Sequence, residues 1–392
     1  MSPAARLGRA AGDAPARWST LAVFLADGIG IGAWAAGIPP LKSALALSDA
    51  GLSLALLAFA AGAMVFMPLS GALTSRLGGT GRTTRLAGLA FAVLLPLPLL
   101  AANLPTLMAA AFLLGASNGV LDVAMNAHAS TLERQWGTAI MSSFHAGFSF
   151  GGIVGAALSA AVLGLHVPTA WLLLPAAATT LALLLIAMPR LGSGDHDEPL
   201  AAALRVPERS LIGLATVALF CLLVEGAMVD WSGVYLTTVG ASAAGASVGF
   251  VAFSSMMVVG RLLGDRFVRM FGGQAVIVAG TLIAAAGLAM AAAIPHVESI
   301  VAGFALVGLG LANVVPALFS ASAQRGSSAA AGIAATATAG YAGMLAGPPI
   351  IGMIASASSL RAGIALLAVI VIIAAIMSAG WQRPATPRRH AD

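Results

Sequence analysis

Apolar runs of about twenty residues recur along this chain from one end to the other, and that recurrence constrains the fold more than any motif. A bilayer offers no water to an exposed backbone, so a helix crossing it must be long, apolar and internally hydrogen-bonded. Windows of that kind fall at 18–38, 51–74, 84–103, 105–131, 138–164 and 168–189, then at 209–237, 243–267, 273–294, 297–323, 329–355 and 359–381. Only 8% of the residues are charged and 59% are hydrophobic, against roughly 25% charged in an average soluble domain. A 392-residue chain so composed cannot cover itself with polar surface, so lipid is its expected solvent.

The expected fold is therefore an all-α membrane protein of twelve transmembrane helices. One long charged stretch, "RLGSGDHDEPLAAALRVPERS" (190–210), interrupts the apolar runs near the middle. It divides the chain into an N-terminal six-helix bundle (1–189), a linker (190–208) and a C-terminal six-helix bundle with a short tail (209–392). The N-terminal tail carries Arg6, Arg9 and Arg17 and leads into a run interrupted by Asp27, which reads as a retained first span rather than a cleaved signal. Of the 19 Lys and Arg residues, all but Lys42 and Arg361 fall on the side of the membrane that holds both termini. By the positive-inside rule that side is the cytoplasm.

The same scatter of basic residues argues against a nucleic-acid surface. The single cysteine, Cys221, excludes a disulfide framework and a multi-cysteine metal site, so no metal and no other cofactor is expected. The chain has no His-Glu-x-x-His pattern, no serine nucleophile elbow and no Gly-x-x-x-x-Gly-Lys-Ser/Thr loop, which argues against an intramembrane enzyme or an ATP-driven pump.

An internal repeat underlies the two halves. "GALTSRLGGTGR" (71–82) follows the second run and "GRLLGDRFVRMFGG" (260–273) closes the eighth, with Arg76 and Arg266 separated by 190 residues. "HASTLERQWG" and "FSASAQRGSS" end the fourth and tenth runs, with Arg134 and Arg325 separated by 191. Asp122 then corresponds to Asn313. Twelve spans, a six-plus-six repeat, a central loop and a Gly-x-x-x-Asp-Arg-type loop motif resemble the major facilitator superfamily of secondary transporters. The motif is preserved as Gly260, Gly264, Asp265 and Arg266, while Ser75 stands where the family has an aspartate in the first half. The resemblance implies two pseudo-symmetric six-helix bundles and a gating role for Asp265, facing the start of the fifth span near Thr138.

Within the superfamily, "NGVLDVAMN" (118–126) resembles the fucose-permease branch, which implies that Asp122 is a proton-titrating acid. The stretches 122–152 and "EGAMVDWSGVYL" (225–236) look similar to a group of poorly characterised bacterial inner-membrane transporters. Aligned on "IPPLK" (38–42), the first-span acid of fucose permease falls at Ala35, whereas Asp27 lies two turns deeper. The Gly-Pro pair of antiporters is absent from "HAGFSFGGIVGAALSA" (145–160).

Acids within membrane spans are costly and usually face a cavity or a partner. Asp27, Asp122, Glu225 and Asp230 fall in spans 1, 4 and 7, and Asn313 in span 10, the four spans that line the central cavity in the family. Asn118, Asp122 and Asn126 share one helix face at i, i+4, i+8. Asp27 and Asp122 lie about 14 Å from the cytoplasmic end and His145 about 10 Å, so Asp122 and His145 are candidates for one proton-binding layer.

The expected proton-coupling residues are Asp122, Asp27, His145 and Glu225. Asn118, Asn126, Asn313, Trp34, Phe148 and Tyr341 are the candidate substrate contacts. Asp265, Arg266, Arg76, Glu133, Arg134 and Arg325 are the candidate gate. Trp231 and Tyr235 read as markers of the outer membrane interface. The function expected is proton-coupled symport of a small polar organic solute of the sugar-like class, by a monomer working by alternating access. The alternative is a proton-coupled exporter of drugs or metabolites. Partners are the solute, protons and the bilayer, with no nucleic acid.

Overall fold

The computed structural model describes residues 3–67, 69–136, 140–165, 168–192, 209–325 and 329–381, and the described residues form fourteen α-helices joined by turns and short 3-10 segments. The first half contains α1 (Pro3–Ala44), α2 (Asp49–Phe66), α3 (Ser70–Leu77), α4 (Thr80–Leu94), α5 (Leu104–Trp136), α6 (Met141–Gly164) and α7 (Leu174–Ala187). The second contains α8 (Ile212–Thr238), α9 (Ala243–Phe271), α10 (Gly273–Ala293), α11 (Val297–Leu311), α12 (Val314–Arg325), α13 (Ala329–Ala357) and α14 (Leu360–Ala379).

Eleven helical stretches among the described residues are long and apolar enough to cross a membrane. The remaining expected span, 329–355, is α13, whose 29 residues reach about 43 Å. Its glycines and the internal Pro348 and Pro349 dilute its hydropathy without ending the helix.

Two expected spans are each built from two helices. The second is interrupted between Phe66 and Ser70, giving α2 and α3. The tenth breaks at Ala312–Asn313, between α11 and α12. Pro316 accounts for that break: it has no N–H to offer the carbonyl of Ala312, and its ring crowds that carbonyl.

The two halves repeat the same packing. α1 lies against α6 and α7, α2 against α5, and α4 against α5 and α7. In the second half α8 lies against α13 and α14, α9 against α11, and α10 against α11 and α14. Small residues set the closest approaches, as in other membrane helix pairs. Gly28 and Gly32 of α1 meet the backbone of Phe148 and Gly152 on α6, where a methyl group would collide with a carbonyl oxygen. Gly343 and Gly347 of α13 do the same against the carbonyls of Leu219 and Leu223 on α8. The N-caps are repeated too: Ser48 accepts from the Gly51 N–H and Ser242 from the Gly245 N–H, each at 3.1 Å.

Between the halves, α2 packs on α13, α6 on α9, and α1 touches α8 and α9. At the face opposite the termini the seam is tight. Pro39 of α1 abuts Gly233 of α8, and Ser53 of α2 abuts Gly352 of α13 beside Trp231.

Trp231 and Tyr235 correct the expectation that they mark the membrane interface. Both are buried, at 0% and 2% exposure. The Trp231 indole donates to the Pro348 carbonyl at 2.8 Å, and the Tyr235 hydroxyl donates to the Ala291 carbonyl at 2.9 Å. An amphipathic ring settles in protein when a backbone acceptor satisfies its polar end.

Candidate functional site

Helical spacing carries Asn118, Asp122 and Asn126 onto one face of α5, and that face meets α1 and α13 rather than lipid. The Asn118 amide donates to Asp27 Oδ1 on α1 at 3.0 Å. The Asn126 amide donates to Asp122 Oδ1 at 3.0 Å and to its carbonyl at 2.8 Å. The Tyr341 hydroxyl on α13 faces Asp122 across the seam between the halves. The Asp27 and Asp122 carboxyl groups are near enough to feel each other's charge. Five of the residues singled out in the sequence thus form one cluster, in which Asp27 is buried and the other four are half-buried.

The cluster continues into the second half. Tyr341 lies within electrostatic reach of Glu225 on α8. Glu225 Oε1 stands 3.7 Å from Arg261 Nη2 on α9. Arg261 in turn donates through Nη1 to the Ser149 hydroxyl at 2.7 Å and toward the His145 carbonyl at 3.4 Å, both on α6. A line of polar groups therefore runs from α1 through α5, α13, α8 and α9 back to α6, crossing the seam twice.

His145 occupies the far end of this line. Its ring meets Phe24 edge-on with centroids 5.4 Å apart, and its charged neighbour is Arg261. The partners of Asp122 are instead Asn126 and Tyr341, so the structure does not join Asp122 and His145 as a pair. Asn313 sits in the α11–α12 break, where its amide donates to the Gly260 carbonyl of α9 at 2.7 Å. It pins two helices of one half together and stands apart from the cluster. Trp34 is buried, stacks on Phe59 with centroids 5.8 Å apart, and directs its indole N–H toward Asp230 without closing a regular hydrogen bond. The Phe148 side chain is half-buried on α6, next to the close approach at Gly28.

Among the candidate gate residues, Glu133 accepts from the Ile140 N–H at 2.7 Å, closing the α5–α6 turn. The Arg325 guanidinium lies 5.6 Å from the centre of the Trp381 ring. Arg76 and Arg266 are exposed. The side chains of Arg134 and Asp265, and the whole of Thr138, lie outside the described residues.

Sequence reasoning missed Arg261 as a site residue, having counted it with the loop arginines. The signal was there: it lies between "MMVVG" and "LLG", within the apolar stretch Ala243–Gly264. Ser149 gave no signal beyond being one hydroxyl among many.

Residues 20–348 match the sequence profile of the Major Facilitator Superfamily. The chain is 40% identical over 363 residues to an uncharacterized MFS-type transporter of Yersinia pestis, covering 91% of this chain and 93% of that protein. It is 35% identical over 363 residues to the membrane protein MosC of Rhizobium meliloti, covering 90% and 86%. Its fold is similar to the crystal structure of a bacterial homolog of the human lysosomal transporter Spinster in an inward-facing, unoccupied conformation. That similarity has a TM-score of 0.71 at 15% identity, over 93% of this chain and 96% of that one.

Proposed function

The chain belongs to the Major Facilitator Superfamily and is a multi-pass membrane transporter, and from that premise we propose that it carries a small polar organic solute in symport with protons. In this reading the bundles 1–189 and 209–392, joined by 190–208, rock about the cluster between them as a monomer, exposing it to each side of the membrane in turn. The termini and the excess of arginine lie on the cytoplasmic side of a bacterial inner membrane.

One observation carries the proposal. Asp122 belongs to the first half and faces the Tyr341 hydroxyl of the second, so its proton sits at a contact that rocking must break and remake. A carboxylate accepts from a phenol, whereas a protonated acid can leave it and cross an apolar seam uncharged. Asp27, held by Asn118 and coupled by charge to Asp122, supports the same role as a second acid. Asn118, Asn126 and Tyr341 supply hydrogen bonds for a polar solute in the same layer.

The test is a thermal-shift screen of the detergent-purified protein against sugars, sugar acids, nucleosides, amino acids and cationic drugs, at two pH values. Asp122→Asn is run alongside. A ligand at 100 times its Kd stabilises by about 2.7 kcal/mol. A polar ligand whose effect depends on pH in the parent and not in the variant supports symport. Stabilisation by hydrophobic cations alone, with the variant behaving as the parent, would reject it.

A further inference from the structure

The reading above leaves Arg261 without a task, although a charged group three residues inside the end of an apolar stretch is costly. Its contacts are also incomplete. Nη1 is engaged with Ser149 and His145 on α6. Nη2 stands 3.7 Å from Glu225, beyond hydrogen-bond length. A guanidinium offers five N–H donors in a planar fork that matches an oxyanion with two parallel bonds. Glu225 neutralises that fork without filling it. Both side chains keep some exposure, 19% for Arg261 and 16% for Glu225. They belong to helices that pack against α1 and α6 of the other half.

We propose that Arg261 anchors the anionic end of the transported solute, a carboxylate or another small oxyanion on a polar body, and that Glu225 holds its place when the site is empty. This rests on the carrier reading and narrows its cargo to an organic anion. Ser149 and the His145 carbonyl fix one edge of the guanidinium from α6 and leave the Nη2 edge to the ligand. The anchor therefore draws α6 of one half toward α9 of the other, which makes ligand binding a contact between the halves.

Charge balance adds a proton. An anion on Arg261 leaves Glu225 without its counter-ion. The other groups near it are Tyr341 from α13 and Cys221 on its own helix, with His145 on α6 beside Arg261. Arg261 is the one fixed positive charge in that set. Glu225 then takes a proton from the buffer, one for each anion bound, and the net charge of the site is unchanged.

The experiment uses the full-length protein in detergent, as parent, Glu225→Gln, Arg261→Gln and Arg261→Lys. The probes are acetate, inorganic phosphate, galacturonate and galactose. Removing the resident carboxylate frees the guanidinium, so Glu225→Gln is expected to bind at least one of the three anions roughly tenfold or more tighter than the parent does, with galactose inert. Anion binding to the parent is expected to take up protons from weak buffer, and binding to Glu225→Gln to take up none. Arg261→Gln is expected to lose the anion response and Arg261→Lys to keep a weakened one. A preference for phosphate over the carboxylates would assign a phosphorylated cargo, and the reverse a carboxylic acid. If none of the three anions binds Glu225→Gln, if galactose binds as well as galacturonate, or if Arg261→Gln keeps the anion response, the proposal is overturned. The carrier reading would survive that failure, because helix movement can be followed without any ligand.

Discussion

Asn118 on α5 donates to Asp27 on α1 at 3.0 Å, one helical turn from Asp122, and so holds Asp27 against the face of α5 that carries Asp122. The bond satisfies a buried carboxyl group that would otherwise be stranded in an apolar wall. Replacing Asn118 with Ala removes the donor and leaves the acid in place. The expected loss is about 1–3 kcal/mol of stability, read as a lower melting temperature in detergent. An unchanged melting temperature would mean that water replaces the amide.

Tyr341 faces Asp122 across the seam, so the proton on that acid should bias the distance between the halves. Spin labels at the termini-bearing ends of α5 and α12 are expected to show a distance distribution that shifts between pH 5 and pH 8 in the parent. In Asp122→Asn the carboxylate is gone at every pH and the shift should vanish. A shift that persists in the variant would move the coupling role to Asp27 or Glu225.

The opposite face is packed too tightly to take an added side chain. A Cβ on Gly352 of α13 would stand 2.6 Å from Ser53 Cβ on α2 and 2.7 Å from the Trp231 ring. Gly352→Val is therefore expected to prise that face open and to shift the spin-label distances at both pH values. Distances unchanged in the variant would argue against rocking of the halves about this seam.

Gly28 rests against the Phe148 carbonyl with no room for a side chain. Gly28→Val is expected to force α1 from α6 and cost about 1–3 kcal/mol or more, seen as poor recovery of folded protein. Gly164, where nothing lies within reach of an added Cβ, should accept Ala without effect and serves as the control.

Trp231→Phe and Tyr235→Phe test whether these rings are held by protein or by the membrane surface. Each loses a hydrogen bond to a backbone carbonyl, and each is expected to destabilise the protein by about 0.5–1.5 kcal/mol in detergent. Rings that served only as interfacial anchors would show no such loss once the bilayer is gone.

The apolar windows made the membrane-crossing segments legible from the chain alone, because a bilayer imposes length and hydropathy on each segment independently of its neighbours. The breaks within the second and tenth spans were less legible, since Pro316 sits in a run whose hydropathy stays high across it. Asn118, Asp122 and Asn126 were legible as a polar stripe for a similar reason: a polar residue in an apolar helix must be turned away from lipid, and helical spacing says which others turn with it.

Partners across the seam were not legible. Tyr341 lies 219 residues from Asp122, and nothing in either local sequence states that one meets the other. Arg261 read as a loop charge because a side chain that can extend to water or fold back into protein looks the same in one dimension. Trp231 and Tyr235 read as interfacial for the same reason, until two backbone carbonyls on other helices claimed them. Hydropathy is a property of each segment and can be summed along the chain, whereas a hydrogen bond between helices depends on distance and angle, which exist only once the helices are packed.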